Sequence, residues 1–126
     1  MKLGKKNLAA QLYTIREYTK TPKDIAESMK KIKAIGYDAV QISGLGPIDN
    51  KELASILDGE GLVCCASHDS GALLFDKTDE VIERLHAVKC PYTAYPYPHV
   101  KWTCEEDCLK LAAGLNEVGA RLKAAG

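Results

Sequence analysis

The chain has 126 residues, with 17 basic and 17 acidic side chains and no net charge at neutral pH. That length makes one domain, residues 1–126, able to bury about two-thirds of its unfolded surface. The charge balance excludes the basic footprint of a nucleic-acid binder, and no apolar run approaches the ~20 residues of a spanning helix or the core of a signal peptide.

The first predicted strand is Leu8 to Leu12, short and mostly apolar. Thr21-Pro22 then opens a helix, with a Thr N-cap, Pro at the first helical position and Asp24 in the first turn. Ile25, Met29, Ile32 and Ile35 recur at helical spacing and predict one buried stripe that ends at Gly36. The second strand is Asp38 to Ile42. A second helix starts near Asp49 or Asn50, buries Leu53, Ile56 and Leu57, and stops at Gly59-Glu60-Gly61. The third strand runs from Leu62 to Ser67 and leads into His68-Asp69-Ser70-Gly71. A third helix begins at 76–78 and buries Val81, Ile82, Leu85 and Val88. The fourth strand is Tyr92 to Tyr95. The last helix starts after Thr103, with Glu106 at the capping-box position, and buries Cys108, Leu111, Leu115, Val118 and Leu122.

Strict alternation of strand and helix predicts parallel strands with right-handed crossovers, hence an α/β fold. Ligands of such sheets meet the carboxyl ends of the strands. Polar groups cluster there: Gln11, Tyr13 and Arg16, then Gln41 and Ser43, then His68 and Asp69, then Tyr95, Tyr97 and His99. The opposite turns are short and carry little chemistry. Gly126 stands where a helix C-cap would lead into a fifth strand, so the chain is expected to be four units of a longer repeating design.

Ala10-Gln11-Leu12-Tyr13-Thr14-Ile15-Arg16, Ile35 to Gly44, Ser67-His68 and Tyr95-Pro96-Tyr97 resemble the first half of a sugar phosphate isomerase/epimerase, of the xylose-isomerase-like TIM-barrel superfamily. The resemblance covers essentially all of Leu8 to Gly126. It implies a (βα)4 half of an eight-unit barrel and a parent chemistry of metal-assisted isomerisation or epimerisation of a sugar or sugar phosphate. The family's divalent-metal ligands come mainly from later strands, so no cofactor and no metal residue is expected in this chain alone, and the isolated chain is expected to be inactive. The family often carries Glu where this chain has Gln41. His68, Gln11, Tyr13 and Gln41 carry over as groups lining the substrate end.

Read residue by residue, His68 is the candidate catalytic group, since an imidazole moves protons near neutral pH; the plainer reading is a loop histidine held by hydrogen bonds. Arg16 either binds phosphate or pairs with Glu17 on the surface. Tyr97, within a Tyr-Pro cluster, either stacks on a sugar face or walls a strand end. Cys64, Cys65, Cys90, Cys104 and Cys108 suit a reducing cytoplasm, and without a CxxC or a histidine cluster they predict no metal site. Two other classes of function stand beside the enzyme fragment: a non-catalytic self-associating module, and one half of a split enzyme. Four units cover only one face of their sheet, so a homodimer through the sheet is expected.

Overall fold

The computed structural model describes residues 8–126; the basic segment Met1 to Lys6 lies outside them. Four strands, β1 (Ala9–Gln11), β2 (Ala39–Ile42), β3 (Val63–His68) and β4 (Thr93–Ala94), form one sheet in the order β1-β2-β3-β4, and every neighbouring pair is parallel. Five α-helices accompany them: α1 (Pro22–Ile35), α2 (Asn50–Glu60), α3 (Gly71–Asp76), α4 (Thr78–Ala87) and α5 (Glu105–Ala125). The contacts run α1 to α2, α2 to α4 and α4 to α5, so the helix layer follows the strand order. The α/β class and the parallel topology are those expected from the sequence.

The core lies between this helix layer and one face of the sheet. Val40, Ile42 and Cys64 point into it and meet Ile25, Met29, Leu53, Leu57, Val81 and Leu85. The alternate strand residues, Gln11, Ala39, Gln41, Ala66, His68 and Ala94, are half-buried or exposed. A β-bulge keeps this alternation: Val40 pairs with Cys64 but Gln41 pairs with Ala66, which leaves Cys65 as the extra residue.

Local chemistry sets the helix ends. Thr21 Oγ1 accepts the Asp24 N–H while Asp24 Oδ2 accepts the Thr21 N–H, a reciprocal cap that satisfies two otherwise orphaned donors. Gly36 closes α1 at φ 109° and Gly61 closes α2 at φ 62°, left-handed conformations that favour glycine. Asp49 caps α2 through the N–H groups of Lys51 and Glu52.

Five expectations are corrected. Ile35 is 74% exposed; ten residues after Ile25 it lies about 80° round the helix from the buried stripe. Leu12 leaves the strand and starts a 3-10 helix, Leu12–Tyr18, which folds it into the core. The loop expected after β3 contains α3, capped by Ser70 Oγ accepting the Leu73 N–H. In α5 the N-cap is Cys104, without a side-chain cap bond, and Thr103 donates through N and Oγ1 to Asp107 rather than pairing with Glu106. Only Val118 of that helix is buried, and Cys108 is exposed.

Candidate functional site

The carboxyl ends of β1, β2 and β3 and the segment after β4 enclose a cavity of about 440 Å3. Gln11, Tyr13, His68 and Tyr97 line it, together with Ser43, Gly44, Ser70 and Pro96. That volume lies within the ordinary range for small-molecule sites. Four side chains singled out in the sequence therefore converge on one space: Gln11 and Tyr13 from the end of β1, His68 from the end of β3 and Tyr97 from the segment following β4.

Gln41 and Arg16 do not line it; each touches Tyr13 or its support. Ser43 Oγ donates to Gln41 Oε1 at 2.9 Å and accepts the Tyr13 N–H at 3.1 Å. Gln41 Nε2 donates to the Ile42 carbonyl at 3.0 Å, so both ends of this amide are engaged within the loop. Gln41 is thereby a support for the Tyr13 turn. Arg16 donates to the Tyr13 carbonyl, and its guanidinium lies 4.5 Å from the centre of the Tyr13 ring, a cation-π stack at the rim. The alternative Arg16–Glu17 pair is absent because Glu17 pairs with Lys20. Gly44, at φ 66°, allows the Tyr13 ring to approach so closely that a Cβ there would lie 2.8 Å from its Cδ2.

His68 borders this cavity and also a second one of about 330 Å3 beneath the β2–α2 loop, which reaches Asn50, Asp69 and Arg84. Asp69, next to His68 in sequence, points the other way, into the helix layer. Its side chain is fully buried and ion-paired with Arg84 of α4. Its Oδ2 accepts from Ser67 Oγ at 3.0 Å and from Thr93 Oγ1 at 2.6 Å. Burial lowers the pKa of the Arg84 guanidinium, and the touching carboxylate is what makes that charge tolerable. Asp69 is thus a clamp between β3, β4 and α4 rather than a partner of His68.

Nearby, Cys64 Sγ donates to the Ala66 carbonyl and Cys90 Sγ to the Tyr92 carbonyl; the interaction between the two thiols raises Cys64 and lowers Cys90 to about 7. Tyr95 and His99 are not part of the cavity either. Their side chains bond to each other at 2.8 Å and pack with Phe75. The close seat of the His99 ring over Gly71 explains why that helix starts on a residue without a side chain. His86 instead bonds the Ala125 carbonyl.

Residue types decide what the cavity can hold. It offers one imidazole, one amide, two hydroxyls and two phenol rings, and no carboxylate. Among the described residues no three His, Cys, Asp or Glu side chains come together as a metal-binding group. These residues do not fit a divalent cation. Ser43, one of the polar groups expected at the carboxyl ends, lines the cavity, whereas Ser70 is not marked by the sequence; its hydroxyl also caps α3, an ordinary structural role that hides a second one.

No family model and no curated protein matches the chain. Among solved structures the chain is similar to a sugar phosphate isomerase/epimerase from Parabacteroides distasonis ATCC 8503, with a TM-score of 0.75 and 21% sequence identity. The match covers 99% of this chain and 50% of that one, so the chain spans about half the length of the structure it resembles. At that identity the likeness establishes the fold.

Proposed function

We propose that this chain is the amino-terminal half of a sugar phosphate isomerase/epimerase-like barrel, and that its cavity is the half of a sugar-binding site contributed by β1 to β4. The observation that carries the reading is the convergence of Gln11, Tyr13, His68 and Tyr97 on one cavity at the carboxyl end of a parallel sheet. The Tyr13 and Tyr97 rings, 52% and 62% exposed, supply faces for the C–H side of a sugar. The Gln11 amide both donates to and accepts from hydroxyls. The His68 imidazole moves a proton at a carbon or hydroxyl beside the carbonyl. Arg16, fixed at the rim by Tyr13, attracts a phosphate.

The chain alone is inactive on this reading. Divalent-metal chemistry would enter through carboxylates of a completing half. A non-catalytic module or one half of a split enzyme remains the alternative, and the convergence of polar groups favours a site-bearing half over an inert one. Five free thiols suit a cytoplasmic setting, and no described helix is long and apolar enough to cross a membrane.

Isothermal titration calorimetry with a panel of pentose and hexose phosphates tests the reading. Millimolar binding that weakens at least tenfold in both His68→Ala and Arg16→Ala supports it. Equal binding of sugars with and without phosphate removes the role of Arg16, and no binding by the folded chain removes the site.

A further inference from the structure

We infer that Tyr95 and His99 are positioning residues for the cavity: they tie the turn between them to α3 and so hold Tyr97 at the cavity wall. This rests on the proposed reading of Tyr97 as a stacking face for a sugar. The segment 95–104, between β4 and α5, contains no strand or helix, so no backbone ladder fixes it. Pro96 and Pro98 flank Tyr97; they have no N–H to give, while their rings stiffen the turn itself. Where the turn sits is left to the side chains at its two ends.

Those two ends meet. Tyr95 Oη accepts the His99 N–H at 2.9 Å and lies 2.8 Å from His99 Nδ1. With the backbone N–H aimed at the oxygen, the one phenol proton is free for Nδ1, which accepts it in the neutral imidazole. The pair closes the loop from Tyr95 to His99, with Tyr97 at its middle.

Ring packing then fixes the closed loop to the helices. The His99 ring lies 4.7 Å from that of Phe75 in α3, centre to centre, and 5.7 Å from that of Tyr95, which it meets edge-on. Two glycines make room for this stack: a Cβ at Gly71 of α3 would overlap the His99 ring, and one at Gly114 of α5 would overlap Phe75. Ser70, which caps α3, lines the same cavity as Tyr97. The tie therefore sets Tyr97 against the helix whose cap forms another part of the wall. Tyr97 itself is exposed, and its hydroxyl has no hydrogen-bond partner among the described residues, so the backbone frame directs its ring.

Backbone amide relaxation of the isotope-labelled free chain tests the inference at Tyr97. Tyr95→Phe removes the hydroxyl alone, His99→Ala removes the imidazole, and His99→Asn returns an acceptor near the place of Nδ1. Both bonds lie at the surface, so an unchanged circular dichroism spectrum is expected in all three. The wild type is expected to show an order parameter of about 0.85 at Tyr97, Tyr95→Phe and His99→Ala one below about 0.6, and His99→Asn a value near the wild type. Affinity for ribose-5-phosphate is expected to fall about three- to tenfold in the same two variants, the size of a lost aromatic contact, and to recover in His99→Asn. A Tyr97 amide that is mobile in the wild type, or equally rigid in Tyr95→Phe, overturns the inference. So does a loss that His99→Asn does not restore, or an unchanged affinity in a loosened variant of a chain that binds. The relaxation needs no ligand, so a wild type that orders Tyr97 through the tie but ignores ribose-5-phosphate would count against the sugar-binding reading and leave the tie standing.

Discussion

Replacing Arg84 by Met leaves a fully buried carboxylate without its counter-charge. In the native chain Asp69 has Arg84 on one oxygen and two hydroxyl donors, Ser67 and Thr93, on the other. Met keeps the aliphatic volume and removes the guanidinium, so the loss is electrostatic rather than a cavity. Breaking one side of a buried pair costs about 3–5 kcal/mol. The two hydroxyls stay in place and hold the expected loss near the lower end, about 3 kcal/mol, against a total stability of about 5–15 kcal/mol for a domain. At this size each kcal/mol moves the melting temperature by roughly 4 °C, so Tm falls by about 12 °C. Urea unfolding followed by circular dichroism measures the difference directly. The Arg84→Met/Asp69→Leu double variant recovers part of the loss. A loss under about 1 kcal/mol at neutral pH would show that the clamp is solvated and refute the reasoning.

Further outcomes follow from glycines, caps and thiols. Gly46→Ala is destabilising, because its Cβ collides with the Lys20 backbone, whereas Gly59→Ala inside α2 meets nothing and gains about 0.5–1 kcal/mol; urea midpoints moving in the same direction would contradict this. Thr21→Ala removes the reciprocal cap of α1 and costs about 1 kcal/mol in the same assay. Cys64→Ala returns the Cys90 thiol from about 7 towards the ordinary range, since the interaction with Cys64 is the largest cause of its lowering; thiolate absorbance against pH reads it, and an unmoved titration contradicts it. Because the folded chain has released the Cys90 proton above pH 7 while unfolded thiols hold theirs to about 8.5, stability rises with pH through that window. It falls again above the window, where the unfolded chain also releases the Cys64 proton that the fold retains.

Helical spacing and cap chemistry made the helix layer legible. Thr21, Pro22 and Asp24 announce α1 through groups that act within one turn, and Ile25, Met29 and Ile32 fix its buried side. Ile35 misled because an apolar residue within a turn of the stripe need not lie on it. The α3 helix was hidden because Ser70-Gly71 reads as a loop, and its glycine answers to a distant ring, that of His99. Strand ends were similarly blurred: Leu12 is as apolar inside a strand as in the turn that follows.

At the site, residue type and position after a strand sufficed to bring Gln11, Tyr13, His68 and Tyr97 together. Direction was not legible. Asp69 follows His68, but alternation along β3 sends the two to opposite faces, and the partner that claims Asp69 is 15 residues away in α4. Gln41 presented the same difficulty, since its amide is consumed by Ser43 and the Ile42 carbonyl.

The most direct test of the functional reading is chemical-shift mapping of the isotope-labelled chain during titration with a sugar phosphate. The account predicts shifts concentrated on Gln11, Tyr13, Gly44, His68 and Tyr97, with the Tyr13 and Tyr97 ring signals moved most. Saturating binding that instead perturbs the opposite end of the sheet, around Gly36, Gly61 and Cys90, would contradict it.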